Sequence, residues 1–243
     1  KSITGHDGSV GHWIEKQFNL KANNYSEADW HGYELKTGSS KTTFGDWTAL
    51  RYLWHRPLES GINSRNHFIG IFGSKSRSDR PNRYSWSGKS FPKVGQINSS
   101  GQTMEIDDKG NISAIYFYSK DQRFTKDNIV PEPCKEDNVE LAFWKVEDTV
   151  DNKTGKVQKK GLRNLVNDKF NQKGWVKFVA NKQNVFTEMW IGGPFNFNDW
   201  IINVKKGIIY LDSGMYYDPD KPNNRPYSNW RASNSFWKTI AKD

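Results

Sequence analysis

DWHGYELKT, residues 29–37, sets two carboxylates and a lysine in a run that otherwise reads as a strand leaving a bend. Side chains alternate along a strand, so Glu34 and Lys36 fall on one face, and Leu35 is expected to point into the core. Asp29 precedes Gly32, and a bend at the glycine would bring its carboxylate beside Glu34. Two convergent carboxylates suit Mg2+, which takes oxygen ligands and leaves positions for water and a phosphate oxygen. Such a metal stabilises charge on a phosphate and lowers the pKa of an attacking water. A lysine ammonium on the same face can orient that water and offset phosphate charge. The competing reading is a solvated strand edge. Carboxylate-x-lysine recurs at Asp107–Lys109 and Asp151–Lys153, but DDKGN and DNKTG are turn sequences whose residues are chosen by turn geometry.

Upstream, GSVGHWIEKQFNL (8–20) reads as a helix, with Ser9 as N-cap and Val10, Trp13, Ile14 and Phe18 as its apolar stripe. If it packs on the strand, Glu15 faces the same cavity; otherwise Glu15 is an exposed helix glutamate paired with a neighbour. Downstream, WTALRYLW (47–54) is a strand candidate and NHFIGIFG (66–73) an element of undetermined type. Hairpins are expected about DDKGN and DNKTG, strands at 174–182 and 207–217, and short helices at 195–207 and 233–242. The prolines and charges of NIVPEPCKEDN (128–138) suggest a crossing between a catalytic lobe, 1–135, and a recognition lobe, 136–243, within one compact domain. The class is mixed α/β (α+β), richer in strand than in helix.

The 243 residues can bury a real core, and 14% aromatic content with 11 Trp argues against disorder. Lysine and arginine outnumber aspartate and glutamate 36 to 27, and the resulting +9 favours a polyanion such as nucleic acid. The single cysteine, Cys134, excludes an intrachain disulfide and a cysteine zinc cluster, and fits a reducing, cytoplasmic setting. His6, His12, His31, His55 and His67 show no metalloprotease spacing. No apolar run is long enough to span a membrane. The opening KSITGHDGSV has neither a methionine nor a signal-peptide core, which suggests either a domain excised from a longer chain or one that has lost its first segment.

The helix VGHWIEKQFNLKANN, the strand DWHGYELKT, LWHRP, FNFNDWIINVKKGIIYLDSGM and NNRPYSNWR occur here in that order. Together they resemble the MutH-like branch of the PD-(D/E)XK nucleases, and within it the MvaI/BcnI-type restriction enzymes. The resemblance implies a PD-(D/E)XK core with two lobes forming a DNA-binding cleft. It puts the metal-binding carboxylates on Asp29 and Glu34, the catalytic lysine on Lys36 and the supporting helix glutamate on Glu15. His55 matches a histidine that approaches DNA from the minor groove; a structural histidine is the other reading. NNRPYSNWR matches the base-reading segment, with arginines at Arg225 and Arg231 suited to guanine. Asn223 and Asn224 stand where relatives carry a histidine and an aspartate, and one more residue separates the arginines. The recognition sequence therefore does not transfer.

The activity implied is a Mg2+-dependent (Mn2+ as substitute), sequence-specific double-stranded DNA endonuclease using a metal-activated water. The resemblance favours a monomer that nicks the strands in turn. Lys75, Arg77, Arg80, Arg83 and Lys89, in a basic stretch interleaved with aromatics, are candidates for backbone phosphates. The alternatives are a strand-specific nicking enzyme of mismatch repair and a non-catalytic DNA-binding module. A carbohydrate-binding domain, suggested by the tryptophans, is disfavoured by the basic charge.

Overall fold

The computed structural model describes residues 9–19, 27–38, 40–75, 80–87, 91–181, 183, 185–221 and 226–242. α1 (Ser9–Gln17) leads to β1 (Tyr33–Thr37), β2 (Lys41–Asp46) and β3 (Arg51–Tyr52), followed by a 3-10 turn at Leu53–His55. Next come α2 (Pro57–Ser60), α3 (Arg65–Phe72), β4 (Ser74–Lys75), β5 (Tyr84–Trp86), β6 (Ser100–Ile106) and β7 (Ile112–Asp121). α4 (Lys126–Ile129) and a 3-10 turn at Glu132–Cys134 connect to β8 (Asp137–Trp144). The small hairpin β9 (Thr149–Val150) and β10 (Val157–Lys159) precedes α5 (Leu162–Phe170). β11 (Gly174–Ala180), β12 (Phe186–Gly192), α6 (Phe197–Lys205), β13 (Tyr210–Leu211), β14 (Met215–Tyr217), β15 (Asn229–Ser233) and α7 (Asn234–Thr239) follow.

The sheet that matters for the site is β1-β11-β12, in which β1 runs parallel to β11 and β11 antiparallel to β12. Parallel neighbours need a long crossover, and here everything from β2 to α5 lies between them. β2 belongs to a second sheet, β13-β15-β2, while β3-β8-β7-β6 forms a third, antiparallel one. A smaller sheet, β14-β5-β4, carries part of the basic stretch. The line drawn at residue 135 is crossed by both the β7–β8 and the β1–β11 ladders.

Aromatic residues dominate the core beneath these sheets. Phe44, Phe170, Trp175 and Trp237 pack under the β1–β11 pair, with Phe44–Trp237 centroids 4.6 Å apart and Trp175–Trp237 4.9 Å. Trp47, Trp144, Trp200 and Trp230 form a second cluster, centroids 5.0–5.8 Å apart, in edge-on geometry that suits the ring quadrupoles. The buried tryptophans are thus structural. Among the described residues no helix is long and apolar enough to cross a membrane.

One local expectation changes, and one undetermined element is settled. WTALRYLW is strand only at Arg51–Tyr52. The Tyr52 hydroxyl accepts from the Ala49 amide at 3.2 Å, and the next three residues wind into the 3-10 turn instead of extending. NHFIGIFG lies in α3, capped by the Ser64 side chain accepting from the His67 amide. Both hairpins form as expected. α6 begins with a reciprocal capping box between Asn196 and Asp199, and Gly207 (φ +69°) follows its end.

Candidate active site

The bend before β1 is made by His31 (φ +46°) and Gly32 (φ +87°), a left-handed pair that turns the chain so that Trp30 and Tyr33 bond each other. Asp29 is brought back along β1, and its Oδ2 accepts from the Leu35 amide at 3.0 Å. The segment is fastened to the end of α5 by two backbone bonds, Ala28 to Asp168 and Lys173 to Gly32. β1 itself is fixed by its register with β11, Glu34 opposite Trp175 and Lys36 opposite Lys177.

Glu34 and Lys36 share a face, as alternation requires. The Lys36 ammonium donates to Glu34 Oε1 at 2.6 Å and to the Phe44 carbonyl at 3.3 Å, and lies 5.3 Å from the Phe170 ring centroid. A second ammonium, that of Lys169 on α5, donates to the same Oε1 at 2.9 Å. The Glu34 side chain is 2% exposed, and its other oxygen, Oε2, is buried with no hydrogen-bond partner. A buried carboxylate oxygen without a partner is costly. Burial, and after it the charge of Glu34, push the Asp29 carboxyl above the usual carboxylate range, against the opposing effects of Lys36 and the Leu35 amide. Burial pulls the Lys36 ammonium below the ordinary lysine value; Glu34 partly offsets this and Lys169 adds to it.

Leu35 differs from expectation. It is half-buried and lines a cleft of about 390 Å³ together with Gly11, Ile14, Glu15, Lys36 and Arg231. The reason is that the Glu34 face of β1 packs on α5, leaving the Leu35 side for α1. Glu15 lines the same cleft as Lys36, while its Oε2 lies 3.2 Å from His12 Nδ1. In α1, Ile14 is buried, but Trp13 is 40% exposed and lies beside Phe186 with centroids 6.0 Å apart.

Arg231 sits on β15 opposite Thr43 of β2, with Nη1 3.4 Å from Asp212 Oδ2. Lys41 bonds the same Asp212 oxygen. Asn223, Asn224 and Arg225 lie outside the described residues, as do Arg77 and Lys89. His55 is exposed at the end of its 3-10 turn, and its Nδ1 accepts from the Tyr52 amide at 3.4 Å. Lys75 is exposed, 5.4 Å from the Tyr84 ring centroid, and Arg83 stacks 3.9 Å from that of Tyr216. Arg80 is half-buried.

Sequence reasoning missed Lys169 and Lys177. The helix carrying Lys169 was legible: Leu162, Leu165, Val166 and Phe170 recur at helical spacing after Gly161. Lys177, in the centre of β11, is fully buried and donates to the Gly38 carbonyl at 2.8 Å and to Thr42 Oγ1 at 2.7 Å. Also missed was a larger cleft of about 610 Å³, adjoining the first through Lys41. Lys41, Lys93, Lys205 and Lys206 line it around an apolar floor that includes Phe91, Met104 and Trp230.

The residues fit a divalent metal. An orphaned buried carboxylate oxygen beside a second carboxylate is an oxygen donor set of the kind Mg2+ takes, with water and phosphate supplying the remainder. Among the described residues no group of three or more His, Cys, Asp or Glu that could hold a metal is found.

A model of the LlaMI restriction endonuclease family matches residues 1–243. The type II restriction enzyme ScrFI of Lactococcus lactis subsp. cremoris is 39% identical over 248 residues, covering 98% of this chain and 88% of ScrFI. Among solved structures, a complex of the restriction endonuclease MvaI with its cognate DNA substrate matches with a TM-score of 0.57. That alignment covers 100% of this chain and 89% of MvaI at 11% identity, a likeness of fold.

Proposed function

We infer the mechanism from one premise: this chain belongs to the LlaMI restriction endonuclease family and is an endodeoxyribonuclease. It acts on double-stranded DNA at a specific sequence, and Asp29, Glu34 and Lys36 form its active centre. The observation that carries this reading is Glu34, with one oxygen held by two ammoniums and the other buried and unpartnered, its charge raising the pKa of the Asp29 carboxyl.

Asp29 and Glu34 would hold Mg2+, with Mn2+ as a substitute; when bound, the ion supplies charge stabilisation at the scissile phosphate and a more acidic water. Lys36 reaches the cleft from the strand and offsets charge on the phosphate while orienting the attacking water. Glu15 faces the same cleft from α1 and supports that arrangement. The Leu35 amide fixes Asp29, so its carboxylate does not have to be ordered when substrate arrives. Hydrolysis is direct, with no covalent intermediate on the protein. A monomer with one such centre nicks the two strands in succession, in the cell interior where DNA and Mg2+ are available.

Base reading belongs to Arg231 with Asn223, Asn224 and Arg225, and to His55 from the minor groove. Lys75, Arg80 and Arg83, with Arg77 and Lys89, contact the backbone. The clefts extend this track: Lys93, Lys205 and Lys206 are exposed along the larger one, without ion-pair partners among the described residues. Neutralising three phosphates releases counterions in proportion. Changing Lys93, Lys205 and Lys206 together to Gln should therefore flatten the slope of log affinity against log salt by about 3. An unchanged slope would remove this cleft from the DNA path.

The reading is tested by incubating the protein with mixed-sequence plasmid DNA, with and without Mg2+. Discrete fragments only with the metal, preceded by nicked circles, are expected, and sequencing the fragment ends gives the site. Intact DNA, whether unmodified or methylated, would support the binding-module alternative instead.

A further inference from the structure

We propose that Lys169 is a built-in counter-cation of the metal site, holding the place of the metal's charge until DNA arrives. The inference rests on reading Asp29 and Glu34 as the metal-holding pair, and it assigns Lys169 a positioning role.

The charge balance points this way. Asp29 and Glu34 bring two negative charges, and the Lys36 and Lys169 ammoniums bring two positive ones, both onto the same Glu34 oxygen. All three of Glu34, Lys36 and Lys169 are largely withdrawn from solvent, at 2%, 12% and 17% side-chain exposure. Charges so placed are poorly screened by water or salt. A divalent cation entering this neutral cluster meets two ammoniums at close range, which opposes its binding. A DNA phosphate reverses the balance: it adds negative charge and offers the lysines another acceptor. Metal and DNA then favour each other's binding, with Lys169 as part of the coupling.

Lys169 is suited to this by its origin. It comes from α5, whose end is bonded to the Asp29 segment through Ala28 and Asp168, and not from the strand that carries the chemistry. Both ammoniums rest on Glu34 Oε1, and a phosphate in the cleft gives each of them another acceptor, Lys36 from the strand and Lys169 from the helix. Lys177, the third lysine nearby, has its hydrogen bonds on Gly38 and Thr42 and none on Glu34.

A merely structural lysine would pin α5 to β1 and nothing more, and metal affinity separates the two roles. Mn2+ binding to the full chain without DNA is measured by calorimetric titration for the parent, Lys169→Met, Lys169→Arg and Glu34→Gln, each shown to be folded by thermal melting. Removing one elementary charge a few ångströms from a divalent ion should tighten Mn2+ binding by at least about tenfold in Lys169→Met, and Lys169→Arg should stay at the parental value. If DNA draws this ammonium away from the ion, a duplex with a non-hydrolysable linkage should strengthen Mn2+ binding less in Lys169→Met than in the parent, and by linkage Mn2+ should strengthen duplex binding less by the same factor. Lys169→Gln, which still donates to Glu34, serves where the methionine variant fails to fold. Unchanged or weakened Mn2+ affinity in a folded, charge-removed variant would overturn the role. Parental Mn2+ uptake that survives Glu34→Gln would instead remove the metal-site reading, and this inference with it.

Discussion

Lys36→Ala should cleave DNA at least about 10³-fold more slowly than the parent in single turnover with saturating Mg2+, while binding DNA with similar affinity. The Lys36 ammonium is the cation that both touches Glu34 and lines the cleft where a phosphate would sit. Its loss removes charge stabilisation from the transition state and leaves the ground state nearly untouched, so the rate falls and the affinity does not. The fold should survive, because Lys169 still holds Glu34. Lys36→Arg should not restore the rate, since a planar guanidinium cannot replace a compact ammonium between Glu34 and the Phe44 carbonyl. Filter binding beside rapid-quench kinetics separates the two quantities. Equal losses of affinity and rate would point to a binding role for Lys36.

The second large effect concerns stability and comes from Lys177. Burial, reinforced by the nearby charge of Lys36, lowers its ammonium to about 8 from the ordinary 10.5. Below pH 8 the group is protonated in both states, and the folded state bears the full cost of the buried charge. Between pH 8 and 10.5 the unfolded chain binds more protons than the folded one, so stability rises with pH. Above 10.5 the cost is gone. The neutral amine still donates to Gly38 and Thr42, so the contacts persist. Relative to Lys177→Met, the parent should gain roughly 3 kcal/mol across that window, about 1.36 per pH unit of depression. Urea denaturation of both proteins from pH 7 to 10.5 measures the difference directly. A flat difference would mean that Lys177 is solvated, or unprotonated at neutral pH.

The local parts of this site were readable in the sequence because local rules determine them. Alternation puts Glu34 and Lys36 on one face, and the Gly32 bend returns Asp29 to the strand. The carboxylate-x-lysine copies in the turns were also separable. Asp107 accepts from the amides of Lys109 and Asn111, and Asp151 from those of Lys153 and Thr154. Both serve their turns. What the sequence did not disclose was long-range. Lys169 meets Glu34 from 135 positions away, through a parallel pairing with no periodic signature and an intervening crossover. The direction of Leu35 failed for the same reason: which face of β1 is covered depends on α5, whose docking no alternation rule contains. The cleft lined by Lys93, Lys205 and Lys206 joins segments that composition alone shows only as positive charge.

The central claim is that the unpartnered oxygen of Glu34 makes this carboxylate the metal-holding group of the active centre. Glu34→Gln tests it most directly, since the amide keeps the shape and can still accept from both lysines. With folding verified by melting and DNA binding by filter retention, single-turnover cleavage with Mg2+ should fall by about 10³-fold or more. A folded, DNA-binding Glu34→Gln protein that cuts at near the parental rate would contradict the account and place the active centre elsewhere in the chain.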